Sequence, residues 1–288
     1  MSLFSAETTR REAMAAMAAA FRKAGVDDPA GDARYLLCAA AEIDHAALIR
    51  DPGAPLEEEA CGRLEEYAAR RVAREPATRI LGTRGFWSLD LAVAPDVLDP
   101  RPDSEAVIDA ALKFLGERQN APLAIADLGS GSGALLCALL DVFEKASGLA
   151  VDVSEAARAL SARNLAACGF SARARVMCRD WSEIAGETFD LIVSNPPYIP
   201  SGDIPGLDPE VRDHDPALAL DGGADGLAAF RSLARVTPRL LAPGGIAIVE
   251  MGWDQRERVE RIFTTAGFAV LGAQRDLGGI DRALVVGR

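Results

Sequence analysis

Residues 194–200 read SNPPYIP and follow the apolar run FDLIV at 189–193. Prolines at 196 and 197 fix φ and remove two N–H donors. The corner therefore offers acceptors: the Asn195 side-chain oxygen and the Pro196 carbonyl. A planar NH₂ group has two hydrogens to donate, so two fixed acceptors would hold it in one plane, with Tyr198 able to stack over it. An amide nitrogen is a poor nucleophile because its lone pair is delocalised. Aligning that lone pair with an electrophilic carbon at about 3 Å supplies much of what it lacks. Acceptors on its hydrogens also stabilise positive charge growing on nitrogen. No strong base is needed before attack, and the chain has only two histidines, His45 and His214.

A second constellation lies upstream, in DLGSGSGALLCALL at 127–140. Gly129, Gly131 and Gly133, with Ser130 and Ser132 between them, form G-x-G-x-G between a strand and a helix. Glycines there let a ligand approach backbone N–H groups, although a plain tight turn would read the same way. The spacing is not the dinucleotide fingerprint, whose third glycine comes one residue later, and no Gly-Lys-Ser/Thr follows to make a phosphate loop. Asp152 ends the next strand, where an acid accepts from ribose hydroxyls. Asp180-Trp181 follows the third strand. The acid there can meet an adenine amino group, and the indole can pack on its ring. Together these suit a nucleoside without pyrophosphate, and S-adenosylmethionine is the candidate. The chemistry would be methyl transfer from a sulfonium to a planar NH₂ group.

The elements that must position these groups show a βαβ rhythm from residue 123. Short apolar strands are expected at 123–128, 149–153, 174–178, 189–194, 245–250, 268–273 and 282–287, with helices at 134–145, 155–168, 225–241 and 254–266. The fold class is α/β: a seven-stranded, doubly wound, Rossmann-like sheet whose last two strands, with no helix between them, pair antiparallel at an edge. Residues 1–80 show no strand pattern and read as a small helical bundle, with helices at 6–24, 28–41, 44–50 and 56–74. Residues 81–103 read as a β-hairpin or linker, and 104–288 as the methyltransferase domain.

Bulk composition narrows the partners. The net charge is −12. Up to Arg84, 12 basic and 14 acidic residues leave −2; the remaining 19 and 29 leave −10. Nucleic-acid binders replace counterions with Lys and Arg, so this balance counts against a nucleic-acid substrate. The five cysteines, Cys38, Cys61, Cys137, Cys168 and Cys178, form no C-x-x-C pair and read as buried thiols of a reducing cytosol. Glu7 and Glu12 break the N-terminal stretch as a signal peptide, and no run of about 18 apolar residues occurs. A cytoplasmic monomer without membrane attachment is expected. Asp213-His214-Asp215 reads as a solvated turn rather than a metal site, the Pro/Gly-rich stretch around it as a rim of the binding site, and Glu250 as structural.

Asn-Pro-Pro-Tyr after an apolar strand resembles the signature of methyltransferases acting on planar amino groups, which include DNA adenine methylases and protein glutamine methyltransferases. RILGTRGFWSLDLAV (79–93), LDPRPDSE (98–105), EVRDHDPALALDGGADGL (210–227) and LAPGGIAIVEMGWDQ (241–255) resemble the second group, specifically the PrmC/HemK family. That family methylates the glutamine of the Gly-Gly-Gln motif in peptide chain release factors, and the likeness spans nearly the whole chain. It implies Gly129 to Gly133, Asp152, Trp181 and Asn195 around S-adenosylmethionine. It further implies Asn195, Pro196, Pro197 and Tyr198 on the substrate glutamine, with Asn195, Pro196 and Tyr198 carrying catalysis, and Arg101 to Glu105 closing over the cofactor. Asp99 stands where the family has a hydrophobic residue, and Ser104 where it has threonine. The release factor is the expected partner; the near-neutral helical domain reads either as its docking surface or as a cap on the sheet. Two alternatives remain open: a nucleic-acid adenine amino-group methyltransferase built on the same corner, and an idle cofactor-binding module.

Overall fold

The computed structural model describes residues 4–288. Its first third is helical because alanine-rich runs are punctuated by good caps. Helix α1 (Arg10–Lys23) opens on Thr9, whose hydroxyl accepts from Glu12 N while Glu12 accepts from Thr9 N in return. Helix α2 (Pro29–Ala40) opens on Asp28 with Pro29 in its first turn. Helices α3 (His45–Arg50), α4 (Glu58–Val72) and α5 (Ala77–Leu81) follow. Phe21, Leu36, Leu37 and Leu64 form their fully buried centre.

Strands β1 (Thr83–Phe86) and β2 (Leu89–Ala92) pair as an antiparallel hairpin. A turn of 3-10 helix at Pro102–Ser104 leads into α6 (Glu105–Leu115). The alternating region then supplies β3 (Ala124–Leu128), α7 (Ala134–Val142), β4 (Ser147–Asp152), α8 (Glu155–Ala167), β5 (Ala174–Cys178) and β6 (Phe189–Ser194). After it come short helices α9 (Pro209–Arg212) and α10 (Ala217–Leu220). The chain ends with α11 (Ala228–Leu240), β7 (Leu241–Glu250), α12 (Arg256–Thr265), β8 (Ala269–Arg275) and β9 (Asp281–Gly287). The seven-stranded sheet has the order β5-β4-β3-β6-β7-β9-β8. It is parallel from β5 to β7, and β9 runs antiparallel to both neighbours. The strand order reverses between β3 and β6, so their carboxyl ends open the crevice where such sheets bind ligands.

Contacts divide the chain into two units. One runs to Gly82 and takes in Asp208–His214; the other comprises Thr83–Leu207 and Asp215–Arg288. Three features differ from the sequence expectation. The hairpin is no separate linker, because Phe86 and Leu91 are buried with α6 and α7 in the sheet unit's core. Residues 208–214 join the helical unit, because buried Arg71 reaches Glu210 at 2.8 Å and Asp32 at 2.7 Å, and Arg74 grips the same glutamate. Nor are all thiols buried: Cys178 is exposed at the end of edge strand β5.

Candidate active site

Two tethers fix the crevice. Ser194, the last residue of β6, donates to the Leu128 carbonyl at 2.6 Å and so ties the corner to the glycine loop. Gln255, itself buried, donates to the Tyr198 carbonyl at 2.8 Å and holds the far side of the corner. The Asp221–Gly226 stretch packs underneath. A Cβ on Gly226 would stand 2.4 Å from the Tyr198 carbonyl, and its φ of +72° favours glycine as well.

The glycine loop turns with positive φ at Gly129, Gly131 and Gly133. Its N–H groups are held by the next strand. Gly131 N donates to Asp152 Oδ2 at 2.9 Å, and Ser154 N donates to Oδ1 at 2.9 Å. A carboxylate has about four lone-pair sites, so Asp152 keeps acceptor capacity toward a ligand. Gly133 serves packing rather than the crevice: a Cβ there would meet Ser161 Oγ at 2.5 Å. Ser130 and Ser132 line a smaller cleft together with Arg101, Ser104 and Asn195.

Gly129, Gly131, Asp152, Trp181, Asn195 and Pro197 converge on one cavity of about 370 Å³, with Asp180 on the same wall. The size suits a small-molecule site. Trp181 is steadied by its indole N–H, which donates to Ser232 Oγ at 3.0 Å. Asp180 spends one oxygen on Ser182 N and keeps the other. Tyr198 is not on this wall. It is half-buried and packs against the sheet's core cluster, where burial and the nearby Glu250 push its hydroxyl well above the ordinary phenol range. Asp213 pairs with Arg212, and Asp215 with Arg101, which leaves that loop's carboxylates on arginines.

S-Adenosylmethionine fits what is present. Asp152 and Asp180 offer acceptors for ribose and adenine, and Trp181 a flat apolar wall. Asp127, at the foot of the glycine loop, is buried with neither oxygen completing a hydrogen bond, although the Leu136 N–H lies near. Burial, and secondarily the Asp152 charge, raise its carboxyl to about 7. An unsatisfied buried carboxylate next to a ligand loop suits a cationic ligand end.

Comparison with known proteins decides the family. A family profile described as PrmC N-terminal domain matches residues 12–82, and one described as Methyltransferase small domain matches 103–204. The release factor glutamine methyltransferase of Caulobacter vibrioides is 42% identical over 265 residues, covering 92% of this chain and 91% of that protein. The protein of the same name from Bradyrhizobium diazoefficiens is 44% identical over 283 residues, covering 97% and 94%. The chain belongs to the release factor glutamine methyltransferase family. Among solved structures, a methyltransferase from Pyrococcus furiosus matches with TM-score 0.50 and 17% identity over 77% of this chain and 98% of that one. A Thermus thermophilus 16S rRNA methyltransferase matches with TM-score 0.50 and 19% identity, covering 72% and 49%. Both likenesses speak for the fold.

Within this family member, two further residues stand by Asn195: Ser104, which the sequence reading placed only in a segment over the cofactor, and Glu250, which it read as structural. Ser104 is buried, and its Oγ accepts from Asn195 Nδ2 at 3.1 Å. Glu250 ends β7 with 1% of its surface exposed. The signal for Ser104 was its hydroxyl in the PRPDSE segment; Glu250, closing the run GIAIVE, gave none.

Proposed function

We propose that this chain transfers a methyl group from S-adenosylmethionine to the side-chain amide nitrogen, N5, of the glutamine in the Gly-Gly-Gln motif of peptide chain release factors. The observation that carries the reading is the Asn195 corner. Asn195 and Pro197 line the cofactor cavity at the β3/β6 crevice with Pro196 between them in sequence, and no described residue donates to Asn195 Oδ1 or to the Pro196 carbonyl. S-Adenosylmethionine supplies an electrophilic methyl on a sulfonium. Asn195 Oδ1 and the Pro196 carbonyl would accept the two hydrogens of the substrate amide, fixing its plane and favouring charge on its nitrogen as the N–C bond forms and the methyl–sulfur bond breaks, with S-adenosylhomocysteine as the leaving group and one amide proton passing to solvent. Pro197 shapes the wall beside them. Tyr198 buttresses the corner from below rather than covering the amide. Gly129, Gly131, Asp152 and Trp181 hold the nucleoside, and Ser130 and Ser132 face the neighbouring cleft. The helical unit, nearly neutral in charge, is the docking surface for the release factor. The enzyme acts as a cytoplasmic monomer without direct nucleic-acid contact, a reading that the net charge of −12 supports for nucleic acid.

The test is transfer of label from methyl-labelled cofactor. A release factor should take up label, and its variant lacking the motif glutamine should not. Label entering adenine-bearing nucleic acid instead would establish the alternative reading.

A further inference from the structure

An asparagine amide has two faces, and only one orientation serves the proposed reaction. With Oδ1 toward the substrate it accepts; flipped by about 180°, it would present a second NH₂ to the substrate NH₂. Something must set the flip. Proline neighbours cannot, because they fix the backbone and not the side-chain amide.

Acceptors stand beside Asn195 Nδ2. Ser104 Oγ takes one hydrogen at 3.1 Å. The buried Glu250 carboxyl neighbours both Asn195 and Ser104 and is electrostatically coupled to them, so a small approach lets the Ser104 hydroxyl, having accepted, pass its own hydrogen to Glu250. Glu250 Oε2 has no partner. Arg282 on β9 acts on this carboxyl through its charge but forms its ion pairs with Asp103 at 2.8 Å and Asp276 at 2.9 Å. The Asp103–Arg282 pair also holds the Pro102–Ser104 turn down, which delivers Ser104 to Asn195.

We propose that Glu250 is a positioning residue: with Ser104 it occupies both Nδ2 hydrogens of Asn195 and so locks Oδ1 toward the substrate amide. The proposal rests on the methyl-transfer reading above and adds the device that orients its central acceptor. Desolvation raises the Glu250 carboxyl to about 7, against hydrogen bonds from Ser104 and Asn195 and the positive charge of Arg282; Asp103 adds to the rise, and Tyr198 faces the group as well. Protonation does not disable the lock. The proton can reside on Oε2, which has no partner, while the other oxygen goes on accepting.

The experiment combines two readouts on the full chain. In steady-state transfer to a release factor, Glu250→Leu should lower kcat about 100-fold while leaving the cofactor dissociation constant within about threefold, since a misaimed acceptor costs rate rather than nucleoside binding. Glu250→Gln keeps an acceptor oxygen and should recover most of that loss. In ¹⁵N-labelled protein, the Asn195 side-chain NH₂ protons should exchange slowly in the wild type and in Glu250→Gln, and fast in Glu250→Leu. Equal exchange in all three proteins, or Gln and Leu variants losing kcat and cofactor affinity alike, would overturn the proposal. A wild type that leaves release factor unlabelled would overturn the functional reading instead, with the exchange experiment still deciding the role of Glu250.

Discussion

At the scale of single residues, the site is a set of oriented acceptors. Asp152 holds the glycine loop through Gly131 N–H and the start of α8 through Ser154 N–H while facing the cavity. Asp152→Ala should therefore weaken cofactor binding at least about tenfold, as removal of charge-assisted hydrogen bonds does, read by calorimetry. Ser104 offers a hydroxyl to Asn195, and threonine would keep it. Ser104→Ala should cost about fivefold in kcat, the worth of one hydrogen bond, and Ser104→Thr should restore it. Asn195, Asp152 and the glycines were legible in sequence because motif spacing places them at strand ends. Glu250 was not, because a carboxylate ending an apolar strand looks like any strand terminus until Asn195 and Ser104 are brought against it.

At the scale of elements, the strands and long helices follow from apolar periodicity, and most ends fall within a few residues of expectation. Strand β7 is the exception, starting at Leu241 rather than at 245. The LAPGG segment carries a turn signal, yet Leu241 pairs with Phe189 across a register shift, so tertiary pairing overrides local preference. The short helices α9 and α10 were hidden inside a Pro/Gly-rich run that reads as loop. The glycine-rich stretch after them is shaped by close approach to the corner. Gly226→Ala combines a positive φ with a collision against the Tyr198 carbonyl, and should destabilise by about 1–3 kcal/mol, visible in thermal melts.

Over the whole molecule, composition indicated two units of different charge but not that Asp208–His214 leaves the sheet unit, since an Arg71–Glu210 pairing spans 139 residues. That cluster sets an acid limit. Desolvation opposes it, but hydrogen bonds from Arg74 and Arg71 hold the Glu210 carboxyl down to about 2, against an ordinary 4.5. A depressed carboxyl stabilises above its ordinary pKa and loses that contribution as pH falls toward 2, here on the order of 3 kcal/mol. Glu210→Gln should lower stability at neutral pH and narrow its gap to wild type between pH 4.5 and 2, measured by denaturant unfolding. Asp127 has the opposite sign. Raised to about 7, its carboxyl contributes stability at acid pH that is lost as pH rises through 7. Asp127→Asn should flatten that decline in the ligand-free protein.

The central claim is that the Asn195 corner orients a planar amide rather than merely shaping the cofactor cavity. Single-turnover methyl transfer with Asn195→Ala, set beside the variant's cofactor dissociation constant, tests it most directly. The account predicts a rate loss of about 100-fold or more with cofactor affinity nearly unchanged. Equal losses in rate and affinity, or a variant as fast as wild type, would contradict it.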